Sequence, residues 1–282
     1  HSAGGRVITA VFPERHLGLV LSIRHVAIPV GAAIGGVLVP VLTTAYGLAW
    51  VALGSGGAGL FAAVILAVLI PSARTASARR ERAQAPATGA SPLRLRAMWL
   101  LAAGAGSLAF VQLGIGSFLT VQLVDRAGVS LTIAAGVFTV AQLLGGGGRL
   151  VLGIWSDRVR DRVRVLLWVA ISAAMLVTAS WIVQDPLTSA LLQAGALVAV
   201  TSCNGVVVAV AASLAPAGRT GATLGMQTTA NAAACAIAPI LLGLLLTDRG
   251  WGSYLAALLI VLTISLLALL RLLQQRAQLA TT

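Results

Sequence analysis

The fold of this chain is decided by the stretch Gly148-Arg-Leu-Val-Leu-Gly-Ile-Trp-Ser-Asp-Arg-Val-Arg-Asp-Arg-Val-Arg164. Uncharged runs flank its charged part, from 127 to 148 on one side and from 165 to 184 on the other. A helix that crosses a bilayer needs about 20 consecutive apolar residues, because no unpaired backbone group can be left in hydrocarbon. The stretch is therefore predicted to contain a short polar hairpin between two membrane-spanning helices.

The composition extends this prediction to the whole chain. Of its 282 residues, 59% are hydrophobic and 9% are charged, and the mean hydropathy is +0.98. Water-soluble globular domains do not reach such values. We expect an all-α integral membrane protein. Its predicted spans are 17–42, 47–70, 97–123, 131–154, 165–183, 188–212, 221–246 and 253–272.

The net charge of +12 is distributed in a way that argues against a nucleic-acid partner. All nineteen cations are arginine, and those outside the spans occur in alternate loops rather than in one stripe. Only Arg126 and Arg249 lie in loops on the opposite side from the others. The positive-inside rule then makes the arginine-rich side cytoplasmic. We predict a multi-pass protein of the plasma membrane with the segments 71–96 and 155–164 and the C-terminus in the cytoplasm.

The pattern Gly153-x-x-x-Asp157-Arg158, followed by alternating arginines, resembles the loop motif of the major facilitator superfamily of secondary transporters. In that family the motif closes a cytoplasmic loop once in each half of a twelve-helix molecule. Arg160 replaces the later glycine, so this copy is degenerate. The resemblance implies that Gly153, Asp157, Arg158 and Arg162 form a conformational-switch loop. It also implies a small-molecule substrate, and it leaves a coupling ion open.

An internal repeat agrees with a fold built from two related halves. Shifting the sequence by 203 residues aligns Pro13 with Pro216, Gly18 with Gly221 and Gly47 with Gly250. Transporters with two parallel six-helix halves show such weak symmetry. Residues 97–203 have no counterpart before His1, so the offset predicts that roughly three and a half helices precede this chain in a full-length protein.

These observations divide the chain into four predicted segments. They are a remnant of the N-terminal bundle with the end of helix 4 and helices 5 and 6 (1–70), a basic linker (71–96), a six-helix C-terminal bundle (97–272) and a polar tail (273–282). The linker is rich in Arg, Ala, Ser, Thr and Pro and cannot bury enough apolar surface to fold alone.

Ionisable residues inside the spans are the first candidates for a substrate site. Arg24 and Arg149 are predicted to lie about 8–10 Å from the cytoplasmic ends of their helices, at 1.5 Å per residue. They either hold an anionic substrate, snorkel back to the interface, or pair with helix-end carbonyls or with acids on the helices expected before this chain. His25 is a candidate for titration inside a span, and a neutral histidine bonded to a neighbouring helix is the alternative.

Uncharged polar residues inside the spans complete the candidate site: Gln112, Gln142, Asn204, Gln227 and Asn231. Interhelical hydrogen bonds of ~0.6–2 kcal/mol each would explain the presence of most of these residues without a substrate. Amides are disfavoured against lipid, so we expect about half of them to face a cavity.

We therefore predict secondary active transport of a small solute by alternating access, with an organic or inorganic anion as the sharpest hypothesis. A drug/proton antiporter is one alternative, because Gly35-Gly36 followed by Pro40 partly matches the glycine-rich fifth helix of such exporters. A non-transporting sensor or lipid enzyme is another.

Features of enzymes are missing from the sequence. It contains no phosphate-binding loop, no paired catalytic carboxylates and no Cys/His cluster with metal spacing. The run from Gly145 to Gly148 lacks the Lys-Ser/Thr of a nucleotide loop, so helix packing explains it better. We expect no enzymatic activity, no cofactor and no metal.

Overall fold

A computed structural model describes residues 17–69, 91–159 and 161–281, and within these ranges it contains helices but no strand. The predicted helix remnant before residue 12, the centre of the linker and Arg160 lie outside them. The helices are α1 (Leu17–Tyr46), α2 (Leu48–Leu69), α3 (Arg96–Asp125), α4 (Leu131–Arg158), α5 (Arg162–Ile182), α6 (Pro186–Ser202), α7 (Asn204–Ser213) and α8 (Thr220–Thr281), with a 3-10 turn at Pro92–Arg94.

The long helix α8 is two membrane helices joined at Gly250. This glycine has a φ of 76° and a ψ of −173°, values that a residue with a side chain rarely adopts. A Cβ atom on Gly114 would contact both Leu242, before the break, and Leu258, after it. The two arms, α8a (220–249) and α8b (251–281), are therefore antiparallel.

Seven of the eight predicted spans are confirmed as helices long and apolar enough to cross a membrane. They are α2 to α5, the helices α6 and α7 together as Pro186–Ser213, and the two arms of α8. Helix α1 contains a shorter apolar helix, Val30–Tyr46. Helix α8 also continues through the residues predicted as a polar tail, where Leu, Gln, Arg and Ala are good helix formers.

The short turns between the spans end in residues that cap the N-terminus of the next helix. Side-chain oxygens of Ser130, Asp161 and Asp185 accept first-turn backbone N–H groups of α4, α5 and α6 over 3.4, 3.0 and 2.7 Å. These N-caps satisfy donors that have no partner inside the helix. The chain reversals occur where Gly, Pro and Asp predict them.

Small residues bring the helices of the C-terminal bundle together. A Cβ atom on Gly104 would lie 2.8 Å from Leu269 Cγ, and the hydroxyl of Ser265 donates to the Gly104 carbonyl over 2.8 Å. In lipid no hydrophobic force drives helices together, so close van der Waals packing and such hydrogen bonds hold α3 against α8.

Helix α1 packs against α4. Ala33 is buried, and its carbonyl oxygen accepts a hydrogen bond from Thr139 Oγ1 at 3.5 Å. A Cβ atom on Gly36 would lie 2.7 Å from the same hydroxyl oxygen, so only glycine permits this approach. Helices α1 and α4, the fifth and eighth in the twelve-helix numbering, are thus neighbours. The stretch Leu48–Ile65 of α2 buries none of its residues.

Candidate functional site

The span made of α6 and α7 is interrupted near its middle at Cys203, whose ψ is −7°. Beside this break the carbonyl oxygen of Thr201 accepts two side-chain hydrogen bonds. Arg149 Nε donates over 2.8 Å and Asn204 Nδ2 over 3.4 Å. Interrupted transmembrane helices present backbone carbonyls to ligands and side chains. Here the break anchors an arginine of the neighbouring helix α4.

Arg149 is fully buried, with an exposed fraction of 0%. Helix α4 ends at Arg158, nine residues later, so the arginine backbone lies ~13 Å from the helix end at 1.5 Å per residue. The distance exceeds the predicted ~8–10 Å because α4 continues past residue 154 into the charged hairpin, where the helix end no longer coincides with the end of the apolar span. The side chain donates to a backbone carbonyl of the adjacent span, which matches the carbonyl pairing named among the alternatives.

Two further sequence candidates join this arginine. Asn204 Nδ2 also donates to Gln112 Oε1 over 3.0 Å. The hydrogen bonds therefore form a continuous network from Gln112 on α3, through Asn204 and the Thr201 carbonyl, to Arg149 on α4. We call these four residues the central polar network.

Two glycines of α4 allow the helices to approach at this point. A Cβ atom on Gly145 would lie 2.7 Å from Thr201 Cγ2, and one on Gly148 would overlap the hydroxyl of Ser202. Ser202 Oγ also donates to the Gly145 carbonyl over 3.4 Å. Gly147 differs, since a Cβ atom there would meet nothing within 4 Å. The interpretation of the glycine run as a helix-packing element is confirmed at Gly145 and Gly148.

The other predicted site residues are not part of this network in the described ranges. On α8a, Gln227 Nε2 donates to Asn231 Oδ1 over 2.9 Å, so these two amides pair with each other. Gln142 is half-buried and lies two turns from Arg149 along α4. Arg24 and His25 belong to α1, but their side chains are outside the described residues.

The charged hairpin contains two ion pairs. Asp157 Oδ1 lies 2.9 Å from Arg162 Nη2, and Asp161 Oδ1 lies 3.2 Å from Arg276 Nη1 near the end of α8. Arg158 is exposed, and Arg160 lies outside the described residues. Gly153 is buried one turn before Asp157.

Sequence reasoning missed the role of Thr201, which contributes a backbone atom. Its hydroxyl is also buried and makes no hydrogen bond in the described part of the chain. The run Thr201-Ser-Cys-Asn-Gly205 in the middle of an apolar span is the signal that could have indicated a break.

A second polar cluster lies where α3 ends and where α6 and α8b begin. Gln122 Nε2 donates to Ser189 Oγ over 3.4 Å, and the Tyr254 hydroxyl donates to Gln193 Oε1 over 3.3 Å. All four side chains are buried. They connect α3, α6 and α8b, away from the predicted substrate residues.

Comparison with known proteins places this arrangement in a family. A family model described as Major Facilitator Superfamily matches residues 1–238. Uncharacterized MFS-type transporters from Mycobacterium tuberculosis strains CDC 1551 / Oshkosh and H37Rv are each 31% identical over 258 residues. These matches cover 89% of this chain and 56% of each relative, so the chain spans about half the length of these relatives. The chain belongs to the Major Facilitator Superfamily and is an all-α, multi-pass membrane protein.

Proposed function

We propose that this protein is a secondary transporter that moves a small solute by alternating access, and that the solute contacts the central polar network. The observation that carries the proposal is the burial of Arg149 at mid-span, where its Nε is held by a carbonyl beside a helix break. Ionisable groups inside a membrane are costly and mark pathways for substrates or ions. The relatives are named as MFS-type transporters, which supports the same function class.

The network joins helices whose relative movement alternating access would require. Its hydrogen bonds connect three separate spans, one of which has an irregular backbone at Cys203. A ligand shifts a conformational equilibrium only through different contacts in the two states. A solute bound to Arg149 and Asn204 would change the contacts of α4 and α7 together.

The substrate class that fits best is an anion. Arginine binds carboxylate and phosphate groups through a planar fork of donors. The carboxylates in the described ranges lie at helix ends and turns: Asp125, Asp157, Asp161, Asp185 and Asp248. Arg24 occupies α1, which packs against α4, so a clamp formed by Arg24 and Arg149 remains our hypothesis for the bound solute.

The hairpin is proposed to act as a conformational switch on the cytoplasmic side of the plasma membrane. The pair of Asp157 and Arg162 ties the end of α4 to the start of α5. Its neighbour Asp161 ties the same turn to α8b through Arg276. Rearrangement of either pair would change how the hairpin closes the cytoplasmic end.

The experiment is solute uptake into proteoliposomes that contain the full-length protein. Radiolabelled organic and inorganic anions are compared with cationic drugs, with and without a proton gradient. We expect saturable movement of at least one anion. Movement of cationic drugs alone would favour the drug antiporter, and binding without movement of any solute would favour a sensor.

A further inference from the structure

The second polar cluster consists of two levels of hydrogen bonds between helices. In the first level, Gln122 Nε2 donates to Ser189 Oγ over 3.4 Å, and the Ser189 hydroxyl donates to the carbonyl of Ser180 over 2.8 Å. In the second level, the Tyr254 hydroxyl donates to Gln193 Oε1 over 3.3 Å. The first level thus joins α3, α5 and α6, and the second joins α6 to α8b.

The two levels lie one helical turn apart. Ser189 and Gln193 are four residues apart on α6, so they share a face and their backbones differ in height by ~6 Å. Phe118, four residues before Gln122 on α3, packs edge-on against the ring of Tyr254 with 5.8 Å between the centroids. Phe118 therefore belongs to the second level and Gln122 to the first. The order of the levels is opposite along the two helices, so α3 and α6 are antiparallel here.

The helix directions bring the two glutamine side chains toward each other. A side chain on a helix leans toward the N-terminus of that helix. Because α3 and α6 are antiparallel, Gln122 leans toward the second level and Gln193 leans toward the first. Both side chains are fully buried, with exposed fractions of 0%. Their amide groups therefore converge between the levels, where bulk water does not reach them.

Each of these amides keeps one polar atom without a hydrogen-bond partner in the part of the chain that the structure describes. The atoms are Gln122 Oε1, an acceptor, and Gln193 Nε2, a donor. The Ser189 hydroxyl gives its proton to a carbonyl and can only accept from Gln122, so the orientation of that amide is fixed. An unpaired polar atom inside a membrane protein is unfavourable, because nothing replaces its lost hydration. The cluster therefore offers one donor and one acceptor to a further group.

We propose that one water molecule is bound between Gln122 and Gln193 and completes the cluster. It accepts a hydrogen bond from Gln193 Nε2 and donates one to Gln122 Oε1. Two hydrogen bonds of ~2.9 Å in series span about 6 Å, which matches the separation of the two levels. A water both donates and accepts, whereas a metal cation takes oxygen ligands alone and an anion takes donors alone. Buried waters bind to otherwise unpaired polar groups of this kind.

The bound water adds a connection between α3 and α6 and, through Gln193 and Tyr254, to α8b. Together with the bond from Ser189 to Ser180, it ties four helices of the C-terminal bundle at one end. The site shares no residue with the central polar network and does not depend on transport. A transport assay that fails therefore leaves this proposal intact, and a cluster without water leaves the proposed function intact.

The test is radiolytic hydroxyl-radical labelling of the full chain in detergent, read by mass spectrometry. Radicals formed from a bound water label the side chains beside it, even where bulk solvent has no access. We expect oxidation of the Tyr254 ring, whose exposed fraction is 0%. The double variant Gln122→Leu with Gln193→Leu removes both amides at similar side-chain volume, so labelling of Tyr254 should fall about fivefold. Ser265→Ala, which removes a buried hydroxyl ~16 Å further along α8b, should keep it within about twofold.

Thermal unfolding of the same variants is the second measurement. Gln122 and Gln193, both within the described ranges, make no direct hydrogen bond to each other. A water that binds both should couple them, so the fall in Tm of the double variant should be smaller than the sum of the two single falls. Gln193→Leu and Ser265→Ala should be additive. The proposal is overturned if Tyr254 is not labelled in the unchanged protein or is labelled equally in the double variant. Additive falls in Tm for the two glutamines would also overturn it.

Discussion

Arg149 Nε lies 2.8 Å from the carbonyl oxygen of Thr201, which connects the middle of α4 to the break between α6 and α7. The carbonyl receives a second bond from Asn204 at 3.4 Å, so one backbone oxygen organises two polar side chains. A fully buried guanidinium is stable only where hydrogen bonds replace its lost hydration. The helix break thus has a direct role in keeping a charge inside the membrane.

The close approach of α4 to this break can be tested through its glycines. In Gly148→Ala the new methyl group would collide with Ser202, and the resulting overpacking should cost ~1–3 kcal/mol. Gly147→Ala is the matched control, because open space surrounds that position and alanine favours helix by up to ~1 kcal/mol. Thermal unfolding in detergent should show a lower Tm for Gly148→Ala alone. Equal Tm values for the two variants would refute the packing role.

Asp157→Asn should alter the conformational balance more than the stability. The ion pair with Arg162 is partly exposed, with side-chain exposures of 12 and 19%, so its loss should cost no more than ~1 kcal/mol of unfolding free energy. Spin labels on the two sides of the protein would report the distribution of open and closed states. We expect a shift in that distribution, reversed in part by the charge exchange Asp157→Arg with Arg162→Asp. Unchanged distances in Asp157→Asn would mean that the pair is only a surface contact.

The stability that the Asp185 N-cap gives to the start of α6 should depend weakly on pH. Hydrogen bonds from the hydroxyl and the backbone N–H of Thr188 lower the pKa of Asp185. A lowered pKa means that the stabilising effect is complete above the ordinary value of 3.8 and is lost as the pH falls below it. Asp185→Asn keeps an acceptor at the N-cap but does not titrate. Between pH 5 and pH 3 its Tm should fall less than that of the unchanged protein, and parallel curves would contradict this.

The orientation can be tested with single cysteines at Ser77, in the predicted linker, and at Ser130, in the turn before α4. The native Cys203 and Cys235 are replaced by alanine first. An impermeant thiol reagent applied to intact cells should label Ser130→Cys, and Ser77→Cys only after the membrane is opened. Labelling of both positions in intact cells would reject the orientation derived from the arginine distribution.

The number and the order of the spans could be read from the sequence, because length and hydropathy alone decide which helices can cross a bilayer. The turn at Gly250 could also be predicted, since glycine adopts the positive φ of 76° that the reversal needs. The helix ends were less predictable. The helix α4 extends to Arg158, four residues beyond the predicted span end, although Trp155, Ser156 and Asp157 are not strong helix formers.

The chemistry of the site was only partly predictable. Gln112, Asn204 and Arg149 were identified because polar side chains are rare in apolar spans, yet their partners are set by tertiary contacts. The burial of Arg149 depends on Thr201, whose carbonyl lies beside the irregular residue Cys203 and accepts the Arg149 side chain. The polar run from Thr201 to Gly205 marks this region in the sequence, but it does not reveal which side chain of a neighbouring helix bonds there. The choice of Arg162 as the partner of Asp157 likewise follows from the turn geometry.

The central claim is that Arg149 contacts the transported solute, and it is tested most directly by the substrate affinity of the full-length protein carrying Arg149→Lys. Lysine keeps the charge but loses the planar fork and the bond to Thr201, so an anionic substrate should bind tenfold or more weakly, the equivalent of ~1.5–3 kcal/mol for hydrogen bonds to a charged group. Arg96→Lys, a change at an exposed arginine, should leave the affinity within twofold. The account would be contradicted if Arg149→Lys bound the substrate with an affinity within twofold of that of the unchanged protein. It would also be contradicted if the substrate proved to be a cation.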